Sequence, residues 1–317
     1  LWGFLPGFIN VPALALPILG MGSRNLLKGL SSDLLLEMEG MAEGAGLPFD
    51  GLWLLQNAPL YNDFPDKSPL YAAPICTMFA VTGERAGAEG IMVGRNLDWA
   101  LQEEAVVTRV RPETGHTFVQ AGFPWNAGLF TAMNGDGLVV CMERLRPCTE
   151  ALPEKSPPEF ILRDLIQRAN SFTEAVDALK ALDHIRDVHV LVAGFDKDKP
   201  RAVVVELGAK PVVREEEFGI LLGVTPDNAA ALETTRTRYA TLKQHLDSQP
   251  EEWREDLQQL LTGGGLPASE GIQHIWNSQT RHSTVMLPAT RTLYIAFPSD
   301  SGIAGRFTAV TVAGEES

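Results

Sequence analysis

The residues best equipped for chemistry sit in two neighbouring stretches. Cys76 and Thr77 open the apolar run of PICTMFAVTG, residues 74–83, and Arg95, Asn96 and Asp98 crowd into GRNLDW, residues 94–99. A cysteine thiol forms a covalent intermediate once a base takes its proton. The usual base is histidine, but the six histidines, at 116, 184, 189, 245, 274 and 282, stand in no recognisable cysteine-protease context. A second base exists if the chain is cut between Ile75 and Cys76. The α-amine so released belongs to the nucleophile itself and has an ordinary pKa of about 7.7 to 8.0.

The runs CTMFAVT and IMVGRNLDW are joined by GERAGAEG, a connection of glycine and small residues that reads as a hairpin. A turn centred near Ala86 and Gly87 sets Cys76 opposite Asp98, with Cβ atoms roughly 4.5 to 5.5 Å apart. In that register Met92, Gly94, Asn96 and Asp98 share the face of Cys76, and Arg95 points the other way unless Gly94 admits a local distortion. A slip of one residue carries Asp98 to the opposite face. Three polar residues in so apolar a strand need a reason, because buried charge is costly unless paired. One reading is a structural Arg95–Asp98 ion pair at a strand end. The other is a site in which Asp98 holds the Cys76 amine by a charge-assisted hydrogen bond.

The two motifs, C-T-x-F-A at 76–80 and G-R-N-x-D-W at 94–99, resemble the cysteine N-terminal-nucleophile (Ntn) hydrolases, specifically the acyl-CoA:6-aminopenicillanic acid acyltransferase family. Choloylglycine (bile salt) hydrolases, penicillin V acylases and acid ceramidase are its more distant relatives. The resemblance extends through EMEGMAEGAG at 37–46, AMNGDGL at 132–138, RAVVVE at 201–206, TTR at 234–236 and STVMLPATRTLYIAF at 283–297. It implies an α+β fold, a four-layer αββα sandwich with two antiparallel sheets, made as a precursor that cuts itself between Ile75 and Cys76. The pieces would be an N-terminal helical segment, residues 1–75, and the hydrolase core, residues 76–317, within one structural domain.

The same resemblance assigns roles. Cys76 is the implied nucleophile with its own α-amine as base, Asp98 orients the amine, and Arg95 lies beside the thiol and favours its thiolate. Arg236 is the implied second active-site arginine, and Thr77, Asn96 and Asn228 are supporting candidates. The implied reaction cleaves a linear, non-peptide amide of a small molecule with an apolar acyl part, through an acyl-Cys76 intermediate and without a metal or cofactor. Water or an amine takes the acyl group. Three positions depart from the family pattern. Thr225-Pro226 stands where relatives have Thr-Asn, an asparagine that helps hold the oxyanion, which leaves that task to Asn228 or to backbone N–H groups. Bile salt hydrolases carry an asparagine near the position of Glu143 and Arg144, so this charged pair implies a different pocket. Ile75 is β-branched where relatives have a small residue, and it motivates a second reading, an uncleaved binding protein that keeps only the fold.

These side chains need a scaffold. Residues 24–45 carry apolar positions at helical spacing that end near Gly44, and turn-rich sequence follows, with NDFPDKSP at 62–69 reading as an exposed loop. Short β-rich runs follow between 76 and 142, then helices over 158–182 with a capping box at Ser171 and Glu174. Strands return at 188–224, and Thr225 and Pro226 read as the start of a helix through TTRTRYATLKQHL, with helical sequence to about 276 and a terminator at Gly263–Gly265. STVML, TLYIAF and FTAVTV supply closing strands. Trp99, Phe123 and Trp125 read either as acyl-pocket lining or as ordinary core.

Composition narrows the classes. The chain has 317 residues, 45% hydrophobic and 21% charged, as expected of a soluble globular protein. A formal charge of −14 with scattered Lys and Arg argues against nucleic acid as a partner. The cysteines at 76, 141 and 148 are too few for a disulfide framework and read as free thiols. The apolar opening segment 1–20 is broken by Pro6, Pro12 and Pro17 and does not read as a membrane span. The missing initial methionine leaves room for a removed leader. Neither C-x-x-C nor H-E-x-x-H nor an acidic loop marks a metal site. Compartment and oligomeric state are not legible.

Overall fold

The computed structural model describes residues 24–56, 76–99, 103–144, 157–182, 188–223, 233–248, 253–268 and 274–314. The opening segment 1–20, the loop 62–69, Ile75, Cys148, His184, Thr225, Pro226 and Asn228 lie outside them.

Among the described residues, a 3-10 turn (Arg24–Gly29) and two α-helices precede Cys76. In α1 (Ser32–Ala45) the buried Leu34, Met38 and Ala42 repeat every fourth residue, the N-cap Ser31 accepts from Leu34 N–H, and Gly46 stops the helix at φ 64°. A second helix, α2 (Phe49–Gln56), occupies sequence that reads as turn. Its apolar Leu52 and Trp53 are buried with Met38, Ala127 and Phe160. Packing overrides the local turn signals there.

Six strands form one antiparallel sheet in the order β10 (Ile220–Leu222), β1 (Thr77–Thr82), β2 (Ile91–Asp98), β11 (Thr280–Leu287), β12 (Thr292–Ala296) and β13 (Thr308–Thr311). Seven form the other in chain order: β3 (Val106–Val110), β4 (Phe118–Gly122), β5 (Thr131–Asn134), β6 (Val139–Arg144), β7 (Val188–Asp196), β8 (Lys199–Leu207) and β9 (Val212–Glu215). Between the sheets lie Met78, Ala80, Ile91 and Val93 against Val119, Met133, Val139 and Leu191. The outer face of the seven-stranded sheet, with Phe118, Ala132 and Val140, packs on Leu162 and Ile166 of α3 (Pro158–Arg168) and Ala175 and Leu179 of α4 (Phe172–Lys180). The outer face of the six-stranded sheet, with Phe79, Val81 and Met92, packs on Leu242 and Leu246 of α5 (Glu233–Asp247) and Leu257 and Leu261 of α6 (Trp253–Leu261). The result is the four-layer αββα sandwich. Helix α6 ends at Leu261, well before residue 276, because the following glycines 263–265 all take positive φ.

The register of the first hairpin differs by one residue from the expected one. Thr77 pairs with Asn96, Met78 with Arg95 and Phe79 with Gly94. The connection is a seven-residue 3-10 turn, Gly83–Glu89, closed by Gly83 N–H donating to Gly90 O at 2.9 Å. Arg95 therefore shares the inter-sheet face of Met78, while Asn96 and Asp98 lie on the opposite, helix-facing side.

The Phe79 ring covers Gly94, and a Cβ placed there would come within 2.2 Å of its Cζ. Gly94→Ala should cost about 1 to 3 kcal/mol in urea unfolding, with part of the loss recovered by adding Phe79→Leu.

Candidate active site

Cys76 leads into β1, 8% exposed, with its Sγ 3.8 Å from the backbone oxygen of Asp98. The fully buried Arg95 lies against this thiol. Its guanidinium donates from Nε to Thr131 Oγ1 at 3.2 Å, from Nη1 to Asn96 O at 3.2 Å and from Nη2 to Met142 O at 2.7 Å. Burial pushes the Cys76 pKa up, and the nearby Arg95 only partly pulls it back. The thiol of the intact chain is thus protonated at neutral pH, so proximity of Arg95 alone does not make a thiolate. Among the described hydrogen bonds, the thiol's partner is the Asp98 carbonyl rather than an imidazole.

Across the strand, the buried Asp98 carboxylate is held from three sides. Arg238 Nη1 lies 2.7 Å from Oδ2, Asn277 Nδ2 donates to Oδ2 at 2.9 Å, and Thr280 Oγ1 donates to Oδ1 at 2.8 Å. A register shift in β11 between Thr280 and His282 aims the Thr280 hydroxyl at Asp98. Asn277 is fixed in turn by Gln279 N–H, which donates to its Oδ1 at 2.9 Å. Asp98 and Arg95 therefore form no ion pair with each other.

The arginine that meets Asp98 is Arg238, not Arg236. Arg236 is exposed on α5, whereas Arg238 is 3% exposed and also donates to Thr77 Oγ1 at 3.4 Å. Two residues advance a helix by about 200°, so the pair point to opposite sides. Asn96 likewise serves the scaffold. Its Nδ2 donates to Leu261 O at 2.8 Å and Ile275 O at 3.0 Å, tying β2 to the end of α6.

A polar row closes the inter-sheet layer at this end. Glu143 on β6 pairs with His189 on β7, and His189 with Glu206 on β8. His189 Nδ1 donates to Gly223 O at 2.8 Å. Arg214 donates to Glu206 Oε1 at 2.6 Å and to the same Gly223 O at 2.7 Å. Glu143 is 2% exposed, and its Oε1 has no hydrogen-bond partner among the described residues. Burial raises its pKa to about 7 against the pull of Arg95, Arg214 and Arg238. His282, also fully buried, is driven down to about 3 by burial and then by Arg95, which keeps it neutral.

The model of the family described as acyl-coenzyme A:6-aminopenicillanic acid acyl-transferase matches residues 85–301, more than half of the chain. The chain belongs to that family. An uncharacterized protein of Archaeoglobus fulgidus is 23% identical over 201 residues, covering 57% of this chain and 34% of that protein. The chain thus spans about a third of the length of the curated relative it matches. Among solved structures, it is similar to a Caenorhabditis elegans N-acylethanolamine-hydrolyzing acid amidase ortholog, with TM-score 0.52, 18% identity, 68% of this chain covered and 93% of the other. Penicillin V acylase from Agrobacterium tumefaciens gives TM-score 0.51 and 14% identity over 72% of this chain and 84% of its own. The fold is that of the Ntn-hydrolases.

In this member of the acyltransferase family, Arg95 lies with Cys76 on one face of β2, Asp98 and Thr77 meet Arg238 on the other, and Arg236 and Asn96 join neither group in the described contacts. Arg238, Asn277, Thr280 and the interior position of Glu143 escaped the sequence reading. The alternating T-R-T-R of α5 offered both arginines, and only the helix phase separates them. Asn277 and Thr280 carried no signal beyond an Asn-x-x-Thr turn ahead of a strand.

Removing Arg238 leaves Asp98 buried without its cation, so Arg238→Ala should cost about 3 to 5 kcal/mol in urea unfolding. Arg236→Ala, on the exposed side, should cost less than about 1 kcal/mol. The raised pKa of Glu143 favours the folded state fully below about pH 4.5, and that contribution is lost as pH rises through about 7. Relative to Glu143→Gln, the wild type should lose roughly 3 kcal/mol of stability between those limits.

Proposed function

We propose that the protein is a self-cleaving cysteine amidohydrolase or acyltransferase acting on a linear, non-peptide amide. The observation that carries this reading is the placement of Cys76. Its thiol touches Arg95 on the inter-sheet side, while the strand that carries Arg95 presents Asp98, already held by Arg238, on the other. Two charged groups of opposite sign, each supported separately, flank one buried thiol. Family membership makes amide hydrolysis or acyl transfer the natural chemistry for that arrangement.

Maturation begins when the Cys76 thiol adds to the carbonyl carbon of Ile75. The C–N bond between the two residues breaks as the nitrogen takes a proton, leaving a thioester. Water then adds, the C–S bond breaks, and the products are a carboxylate at Ile75 and a Cys76 with free thiol and α-amine. The segments 1–75 and 76–317 stay together through the buried contacts of α1 and α2. In turnover, the new amine takes the thiol proton and the thiolate adds to the substrate carbonyl. The departing amine carries that proton away. Water, or a second amine, takes the acyl group from Cys76 and restores the thiol.

Asp98 orients the ammonium form of that amine, and Arg95 favours the thiolate against its own burial. Arg238 holds Asp98 rather than acting on substrate. Asn228 and backbone N–H groups beyond Gly223 are proposed for the oxyanion. An apolar acyl arm suits the aromatic residues Trp99, Phe123 and Phe130, which pack with Cys76 in one cluster.

Acid quench of the wild type during turnover of N-acyl amides should leave the acyl group on Cys76, located by peptide mass. Cys76→Ala should take no label and lose at least about 10⁴-fold in turnover, and Asp98→Asn about 10² to 10⁴-fold. Turnover that survives Cys76→Ala, or label on another residue, contradicts the assignment. A wild type that takes no label and turns over no amide supports the binding-protein reading instead.

A further inference from the structure

We infer that Gln56, on the segment that precedes the cut, is a positioning residue for the aromatic wall of the acyl pocket. The inference rests on the acyl-cysteine reading above and extends it to a residue on the other side of the scissile bond. Gln56 ends α2 and is 3% exposed. Its amide is used at both ends: Nε2 donates to Trp125 O, and Oε1 accepts from Ala127 N–H at 2.8 Å. These two contacts grip the loop between β4 and β5, whose only internal backbone tie among the described hydrogen bonds is Asn126 N–H to Phe123 O at 3.1 Å.

That loop carries the wall. Trp125 stacks on Phe123 with ring centroids 5.6 Å apart and planes 6° apart, and its indole N–H donates to Glu103 Oε2 at 2.9 Å. Phe123 touches Trp99 at 5.2 Å, and Trp99 touches Phe130 at 5.7 Å. Trp99 directly follows Asp98, whose carbonyl oxygen lies against the Cys76 thiol. A continuous row of rings thus runs from Trp99, packed against the cluster that holds Cys76, to the residue that Gln56 holds.

Two features distinguish this row from ordinary core. Trp99 and Trp125 are only partly buried, and the Trp99 indole N–H is shielded from water yet has no hydrogen-bond partner among the described residues. A satisfied core aromatic has no such unpaired donor. Both suit a wall whose second side is supplied by a substrate acyl group. The cut breaks the chain between Gln56 and Cys76, so the smaller fragment completes the specificity pocket of the larger one. Gln56 touches no reacting atom. It sets where the rings stand, and so acts on binding of bulky acyl groups more than on bond making.

The test compares phenylacetyl and acetyl p-nitroanilides as substrates for the full chain and for Gln56→Met, which fills the same space without the two hydrogen bonds. The ratio of kcat/KM, phenylacetyl over acetyl, should fall at least tenfold in the variant, mainly through KM, while the acetyl substrate changes less than threefold. Gln56→Glu, which keeps the acceptor for Ala127 N–H and sets an oxygen against Trp125 O, is read in the same way should Gln56→Met not fold. A wild type active on amides whose variants keep the ratio, or lose both substrates equally, overturns the inference. If the wild type cleaves neither probe, the proposed activity fails separately, and phenylacetate binding followed by tryptophan quenching reads the wall alone. Weakening of at least fivefold in the variant then supports the inference, and equal or absent binding by the wild type overturns it.

Discussion

Burial of opposite charges on opposite faces of one strand is the constraint on which the rest of the molecule depends. Arg95 and Asp98 are three residues apart on β2, so the pleat sends one between the sheets and the other toward the helices. Each then needs its own partners. Arg95 finds Thr131, Met142 O and the neighbourhood of Glu143, and Asp98 finds Arg238, Asn277 and Thr280. A one-residue slip of β2 would bury both among the wrong neighbours, at several kcal/mol each. The hydrophobic pattern fixes that register from one side and the charges fix it from the other.

On the proposed reading, the same arrangement lets a buried thiol become a nucleophile. In the intact chain the nitrogen of residue 76 is an amide and has no basicity, and the thiol is pushed toward its neutral form by burial. Cutting the bond before Cys76 turns that nitrogen into an amine of ordinary pKa about 7.7 to 8.0. Under the proposed self-cleavage, base and nucleophile would arrive together, beside charged groups that are already paired. The polar row of Glu143, His189, Glu206 and Arg214 continues this logic along the seven-stranded sheet and anchors Gly223, where the chain leaves β10.

The fold was legible in the alternation of short β-rich runs with helical blocks, and in the Cys-Thr and Gly-Arg-Asn-x-Asp motifs at their spacing. Strands buried on both faces, turn glycines and the Ser171 cap appear where local chemistry puts them. What failed was anything that turns on phase. The hairpin register was off by one because a turn centred between Ala86 and Gly87 pairs Thr77 with Asn96, as the strands do, and so sets Leu97 rather than Asp98 level with Cys76. Arg236 was chosen over Arg238 because a motif gives position along a helix, while packing decides its rotation. Helix α2 was missed because its stability comes from Trp53 and Leu52 docking on Phe160 and Ala127 rather than from its own propensities. Asn277 and Thr280 act through a contact with a residue far away in sequence, which no local pattern encodes.

The central claim is that the chain opens at Cys76 to create its own base. Intact mass of the purified protein under denaturing conditions tests it most directly. The account predicts two fragments, the larger beginning at Cys76, and a single chain for Cys76→Ala. A wild type that remains one chain, with the bond between Ile75 and Cys76 intact while amide turnover proceeds, would contradict it.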